Sequence, residues 1–596
     1  MHEQDLRERL AAVREGVLPR RAFVRQMAAL GVGAPLAGML LMHAGVAAAQ
    51  PGPATYRPTR RGGGGLLRLL WWQGPTLLNP HFATGQKDLD GARLFYETLA
   101  DWDDEGRLVP SLAAELPSRD NGGVAADGRS VTWKLKRGVT WHDGQPFTAD
   151  DVVFTWQYAS NPATAAVSIG YYTDRVVEKV DSHTVRITFG QPTPFWASTF
   201  VGAGGEILPR HLFAPYTGAK SRDAPNNFKP VGTGPYRCVE FKPGDLVRGT
   251  LNPTYHGANR PHFDNVEMKG GGDAVSAARA VLQTGEFDFA WNIQVEDELV
   301  RRMEAGGKGR AVYSGGADLE FVIFNFTDPQ REVDGERSSL KAPHPVLSDF
   351  AVRDALALLV DKASIEKFIY GRAGVATANY LNNPPRYRSP NTAWEFNPAK
   401  AAALLDAAGW KPGAGGIREK GGRQLKFLFQ TSINAPRQKT QALIKQAALK
   451  AGVAIEVKAV VGSVFFSTDA GNPDTYGKFQ ADLQMFTAAG TVDPTRPMLR
   501  FASWEAATKA NKWSGINLSR WRNAAYDRAF RETEVELDPV RRTALFLQMN
   551  DLVVQQRAVL PLIHRKSVAA VAGRLQAPVS GWASDLAFVR DWYRDA

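Results

Sequence analysis

Strand-type and helix-type hydrophobic patterns intermingle along this chain, without the strict alternation of a barrel and without an internal repeat. That mixture is what most constrains the fold. From Leu66 the run Leu-Leu-Arg-Leu-Leu-Trp-Trp reads as a buried strand closed by Gln73-Gly74-Pro75. Val131, Trp133 and Leu135 alternate with Thr132, Lys134 and Lys136, and Val185, Ile187 and Phe189 repeat the alternation, as half-buried strands require. Thr148 is placed to cap a helix whose first turn holds Asp150 and Asp151, which suit the positive end of the helix dipole. Further on, apolar residues at 352, 355, 356, 359 and 360 fall at helical spacing. Asn397-Pro398 opens another helix that Gly409 closes, and a third runs from about Arg437 to Lys450, before a strand at Ala454–Val457. With 596 residues the chain exceeds one ordinary core, so these elements predict a mixed α/β protein of at least two lobes.

The N-terminus carries the most specific short signal. Arg20-Arg21-Ala22-Phe23-Val24-Arg25 precedes an uncharged stretch from Met27 to Ala49 that ends in Ala47-Ala48-Ala49. A charged leader, an apolar core and small residues at its end make a secretory signal, and the paired arginines resemble the twin-arginine type. Gly31, Gly33, Pro35, Gly38 and His43 weaken the alternative, a transmembrane anchor. The expectation is a signal peptide over 1–49, cleaved at Ala49-Gln50, then a flexible Gly- and Pro-rich leader over 50–65. No cysteine follows the apolar core, so a lipid anchor is not expected.

Composition narrows the chemistry. Cys238 is the only cysteine, which excludes an intramolecular disulfide and a cysteine-based metal site. The formal net charge is +11, but Lys and Arg are dispersed among acids and form no basic block, so nucleic-acid binding is not expected. There is no Gly-x-Ser-x-Gly elbow, no His-Glu-x-x-His and no phosphate-binding glycine loop in the mature part. Gly232-Thr233-Gly234-Pro235 has proline where a phosphate cradle needs amide donors. Trp141-His142-Asp143-Gly144 reads as a turn, and the ten histidines lack the spacing of a metal site. These patterns predict no enzyme, no metal and no cofactor.

Several blocks then add up to a family. They begin with Leu112-Ala113-Ala114-Glu115, the segment from Trp133 to Gly144, and Thr148 to Phe154. They continue through Pro230 to Tyr236, Asn252-Pro-Thr-Tyr255, Thr284-Gly-Glu-Phe-Asp288, Phe324-Asn325, Val352 to Asp361 and Asn397 to Trp410. In this order they span residues 66–565 and resemble the family 5 extracellular solute-binding proteins, which bind dipeptides, oligopeptides or nickel complexes. The resemblance implies an α/β two-lobed periplasmic binding protein fold of the large type, with a ligand cleft between the lobes. On that basis the first lobe is expected over 66–292, with an extra subdomain at about 96–225. The second is expected over 293–562, and 563–596 return to the first.

It also implies contact residues. The end of the first strand, Trp72-Gln73-Gly74, is expected to touch ligand, and Trp291, Asn325 and Trp504 lie on the expected cleft segments. In dipeptide binders an acid three residues after a Trp holds the peptide amino terminus. Here the segment reads Phe486-Thr-Ala-Ala-Gly-Thr-Val-Asp493-Pro494, with Ala489 or Gly490 where the acid should stand. Arg437 falls near an arginine that some members use for a ligand carboxylate; otherwise it is a solvated first-turn residue. The implied role is the periplasmic, monomeric receptor of an ABC importer, delivering a peptide or other small polar ligand to an inner-membrane permease. An oligosaccharide, a glycosylated compound or a metal chelate is the alternative ligand, and an exported hydrolase the alternative from another class.

Overall fold

The computed structural model describes residues 3–14, 18, 20–29, 58–83, 85–467 and 471–595. The uncharged stretch from residue 30 onward, the expected cleavage site at Ala47–Ala49 and the first part of the leader lie outside these residues. Glu3–Arg14 and Arg20–Ala29 are helical, and no helix among the described residues is long and apolar enough to cross a membrane.

The chain divides into two compact units. The first comprises Met1–Gly316 with Val535–Pro539 and Ser567–Ala596, the second Ala317–Glu534 with Val540–Lys566. The division falls after Gly316 rather than at Asn292, because the strand Gly309–Ser314 pairs antiparallel with Ser567–Ala572 inside the first sheet. The C-terminal return likewise begins at Ser567, since Val559–Arg565 still pairs in the second sheet.

The first unit is built on a seven-stranded mixed sheet. Leu66–Trp71 sits inside it, parallel to both Phe289–Ala290 and Asn265–Gly270. A central position explains why this strand reads as a nearly continuous apolar run rather than an alternation. Leu67, Leu69 and Trp71 are fully buried. The described part of the leader is anchored here: the Gly63 and Gly65 amides donate to the two Asp264 carboxylate oxygens at 2.8 Å. Arg61 adds bonds to the Tyr255 and Asn252 carbonyls.

The first unit also carries a three-stranded antiparallel sheet in which Val131 faces Ile187 and Trp133 faces Val185, the two alternating runs of the sequence. Its helix Ala149–Ser160 begins with a reciprocal cap, Thr148 accepting from the Asp150 amide and Asp151 accepting from the Thr148 amide. His142 explains the glycine cluster. Its Nδ1 accepts from the Gly232 amide at 3.1 Å and its Nε2 lies 3.1 Å from the Gly234 carbonyl. A Cβ at Gly232 would stand 1.8 Å from the Phe95 carbonyl oxygen, so the glycines permit close packing.

The second unit holds a six-stranded mixed sheet, with Leu319–Phe324 between Val559–Arg565 and Leu483–Ala488. Lys426–Ser432 runs parallel to Ala454–Val460, joined by the helix Ala435–Lys450. Helices Phe350–Leu358 and Pro398–Ala407 cover the sheet, the second capped by Asn397, whose side chain accepts from the Lys400 amide. Gly409 takes φ +86° after that helix, the left-handed conformation that ends it.

Candidate functional site

In the first unit the candidate surface is the end of the strand Leu66–Trp71. Trp71 is fully buried and stacks on Trp291, rings 6.1 Å apart and 4° from parallel, and on Phe289 at 5.5 Å. Trp72 leans on the same Trp291 ring at 6.1 Å and donates its indole N–H to the Asn292 carbonyl at 3.2 Å. The Trp291 indole is held in turn by Asp585 at 3.1 Å. Asp90 fixes the group from beneath, accepting from Trp71 Nε1, Gln86 Nε2, Ser584 Oγ and the Asp585 amide. Burial pushes its carboxyl up to about 6. Trp72 thus stays half-exposed on a rigid stack, with Gln73 exposed beside it. Gly74 is required by packing, because a Cβ there would meet the Gly244 carbonyl oxygen at 2.4 Å. The structure therefore gathers Trp72, Gln73, Gly74 and Trp291 at one edge of one unit.

In the second unit the candidate is a shallow recess whose wall includes Ala317, Leu319, Tyr380, Ala489, Gly490 and Thr491. None of its lining side chains carries a charge at neutral pH. At Gly490 a Cβ would stand 2.2 Å from the Ala317 Cβ, so this backbone leaves no room for an acidic side chain at that position. The Gly490 amide instead donates to Asp318 Oδ1 at 3.3 Å. Burial raises the Asp318 carboxyl, opposed mainly by Arg565. Asp318 is thus the carboxylate that touches the backbone of the recess. Sequence reasoning missed it, because its neighbour lies 172 positions away in the chain.

The expected charged contacts have partners within their own unit. Arg437 is not a solvated first-turn residue; it is buried, with Nε 2.7 Å from Glu320 Oε1, Nη1 2.7 Å from Ser432 Oγ and Nη2 2.7 Å from Thr487 Oγ1. Burial alone would raise the Glu320 carboxyl, but Arg437 and then Arg565 hold it below the usual range. A ligand carboxylate at Arg437 would have to share the guanidinium with Glu320. Asp493 forms a two-pronged ion pair with Arg542 and accepts from the Thr495 amide at 3.0 Å. Its carboxyl is held low by Arg542 despite its burial.

The three remaining residues pack elsewhere. Phe486 is a core ring, edge-on to Phe321 at 4.7 Å. Asn325 is fully buried and bridges three chain segments, donating to the Phe479 and Ala481 carbonyls and accepting from the Thr327 amide. Trp504 is 40% exposed, packed between the Phe530 ring edge and the Arg531 guanidinium 3.8 Å from its centroid. It does not line the recess. Among the described residues no group of three or more His, Cys, Asp or Glu is placed to hold a metal ion.

The model of the bacterial extracellular solute-binding proteins, family 5 Middle, matches residues 107–512. The chain is similar to the oligopeptide-binding protein AppA of Bacillus subtilis, 24% identical over 527 residues that cover 87% of this chain and 90% of that protein. It is 26% identical to the glutathione-binding protein GsiB of Pectobacterium atrosepticum over 463 residues, 76% and 78% of the two chains. Among solved structures, NikZ of Campylobacter jejuni in complex with Ni(L-His) superposes with a TM-score of 0.72 at 22% identity, covering 89% of this chain and 99% of that one.

Proposed function

Because this chain belongs to the bacterial extracellular solute-binding proteins of family 5, we propose that it is the receptor of an ABC importer. It captures a peptide or peptide-like ligand outside the cytoplasm and passes it to a membrane permease. It acts as a monomer, after export directed by residues 1–49 and cleavage near Ala49-Gln50. Two kinds of surface support the ligand reading, each described within its own unit. The rigid stack of Trp71, Trp72 and Trp291 offers a half-exposed indole, and the recess around Ala489-Gly490 offers backbone polar groups with one carboxylate, Asp318, at its margin. Flat rings and backbone amides suit a ligand with amide groups and a planar or apolar part.

Trp72, Gln73, Gly74 and Trp291 are the proposed contacts of the first unit, and Ala489, Gly490, Asp318 and Tyr380 those of the second. Arg437 and Asp493 contribute by holding the segments that carry these contacts. The relatives bind oligopeptides or glutathione by name. The decisive experiment is mass spectrometry of the small molecules that co-purify with the protein from its native host. A thermal-shift panel of peptides, oligosaccharides and metal chelates would follow, because a ligand that binds only the folded state raises the melting temperature with its concentration. A single stabilising peptide class supports the reading. Stabilisation by a chelate or sugar alone gives the second reading, which the neutral lining of the recess favours. Consumption of an ester, peptide or glycoside at catalytic rates would make the protein a hydrolase.

A further inference from the structure

The first unit contains a second pocket, of about 170 Å³, lined by Lys136, His256, Arg260, Arg590 and Asp591 among others. It shares no residue with the tryptophan stack. One acid, Asp591, lines it and a second, Glu97, bonds to its lining residues Tyr255 and His256; both are committed. Glu97 accepts from four donors: Tyr255 OH at 2.8 Å, His256 Nε2 at 2.8 Å, Thr233 Oγ1 at 3.0 Å and Ser111 Oγ at 3.3 Å. Asp591 accepts from Arg260 Nε at 2.5 Å and lies 3.5 Å from Arg590 Nε.

Cationic groups outnumber these acids. Among the described residues the Lys136 ammonium has no hydrogen bond and no ion pair within 4.0 Å, although it is half-buried. Burial lowers its pKa, with Arg590 adding to that effect and Glu97 opposing it. Arg590 is half-buried and donates to the Ala587 carbonyl at 3.2 Å; burial would lower its pKa, but Tyr255, Asp591, Glu97 and Asp101 hold it above the ordinary value. His256 points Nε2 at Glu97, so its Nδ1 is left over; that atom is buried without a hydrogen-bond partner, on a side chain only 10% exposed. Glu97, already an acceptor four times over, cannot give the Nδ1 or the ammonium what it lacks. Two further charges stand behind, Arg93 ion-paired to Asp101, so they add nothing net.

A half-buried ammonium and a guanidinium lining one concave space supply what an oxyanion needs: charge, donors and shelter from water. We propose that this pocket is a binding site for a small oxyanion, a carboxylate or phosphate group held by Lys136 and Arg590. The site is separate from the solute-capture surfaces in its residues, and its existence does not depend on what solute the protein carries.

The test uses the mature full chain, titrated with inorganic phosphate and, separately, with acetate, each against sodium chloride at matched ionic strength. Melting temperature and calorimetric heat are followed. The expected result is a saturable stabilisation by phosphate, acetate or both that chloride does not give. Lys136→Met should weaken it about tenfold or more, the scale of losing one charge-assisted contact, while Lys136→Arg retains most of it. Lys134→Met is the control: Lys134 is exposed and paired with Glu115, and its loss should leave the titration unchanged. Response to phosphate but not acetate assigns a tetrahedral anion, and the reverse a carboxylate. No saturable response beyond chloride in the unmodified protein would overturn the proposal. So would an unaltered titration in a folded Lys136→Met. If that variant fails to fold, Lys136→Gln serves in its place.

Discussion

Arg437 Nε lies 2.7 Å from Glu320 Oε1, with 8% and 1% of the two side chains exposed. The pair joins the first turn of the helix Ala435–Lys450 to the strand Leu319–Phe324, and Thr487 hydrogen-bonds to both partners at 2.7 Å. Arg565 stands 3.6 Å from the second Glu320 oxygen. One buried and one half-buried arginine around a buried carboxylate fix the strands that lead to Ala317, Asp318 and Gly490. A charge read from sequence as a ligand contact is thus already part of the frame that shapes the recess.

Removing one member of this pair should therefore cost stability before it costs affinity. Arg437→Ala leaves Glu320 buried beside a single, more distant arginine, and breaking such a pair costs about 3–5 kcal/mol. Urea unfolding should show that loss in Arg437→Ala, and a smaller one in Arg437→Met combined with Glu320→Met, which buries no unpaired charge. An Arg437→Ala protein of unchanged stability that has lost only anionic ligands would instead make Arg437 a ligand residue.

Lys362 supplies a pH dependence. It is 5% exposed, its Nζ donates to the Thr377 carbonyl at 3.0 Å, and burial, with Arg557 adding, lowers its pKa to about 7. The unfolded chain keeps an ordinary lysine near 10.4. Between those values the unfolded state binds more protons than the folded one, so this group's contribution to stability rises with pH. Its penalty is complete below about pH 7 and relaxes by roughly 1.4 kcal/mol per pH unit up to about pH 10. Urea midpoints of Lys362→Met and unmodified protein should therefore differ most in the variant's favour at pH 6.5, and that advantage should shrink by pH 9.5. A difference constant across this range would mean that Lys362 keeps an ordinary pKa in the fold.

The elements were legible where one physical signal dominated. Thr148 with Asp151 and Asn397-Pro398 each act as helix starts because cap chemistry is local. The alternating runs at 131–135 and 184–189 pair as read because one face of each is buried. The unit boundary was not legible, since it depends on Gly309–Ser314 pairing with a strand more than 250 residues later. The same holds for the site. Trp72 and Trp291 are named by the resemblance rather than by any local signal, and nothing local marks Arg437 as Glu320's partner or Arg542 as that of Asp493. Asp318 carries no sequence signal, because its importance comes from a neighbour across the sheet.

Export is tested at Arg20-Arg21. If the twin arginines route the chain, Arg20→Lys with Arg21→Lys should leave full-length precursor in the cytoplasm, detected by fractionation and intact-mass measurement. Mature protein from the unmodified gene should begin at or near Gln50. Unchanged secretion of the double variant would assign the general secretory route, and a retained N-terminus would make the segment an anchor.

The final prediction concerns the ligand's amino group. A buried ammonium needs a countercharge, and losing one partner of a buried pair costs about 3–5 kcal/mol. At Ala489-Gly490 there is no side-chain acid, and the 2.2 Å clearance at Gly490 leaves no space for one. Asp493, further along, is already neutralised by Arg542. That leaves Asp318, whose carboxyl burial raises with Arg565 opposing, and whose Oδ1 is engaged by the Gly490 amide. A carboxyl already engaged by a backbone amide and facing Arg565 is a weaker anchor for an ammonium than an unengaged acid would be. N-acetylated peptides or non-peptide ligands should therefore bind at least as tightly as free-amino dipeptides of the same sequence, and calorimetry on matched pairs measures this directly. Trp72→Ala should weaken ring-bearing ligands more than aliphatic ones, since it removes the exposed indole and leaves the Trp71–Trp291 stack in place. Tight binding confined to the free amine would reverse the assignment, and Asp318→Asn would then decide it: loss of that binding makes Asp318 the anchor, whereas its survival requires a carboxylate beyond the recess.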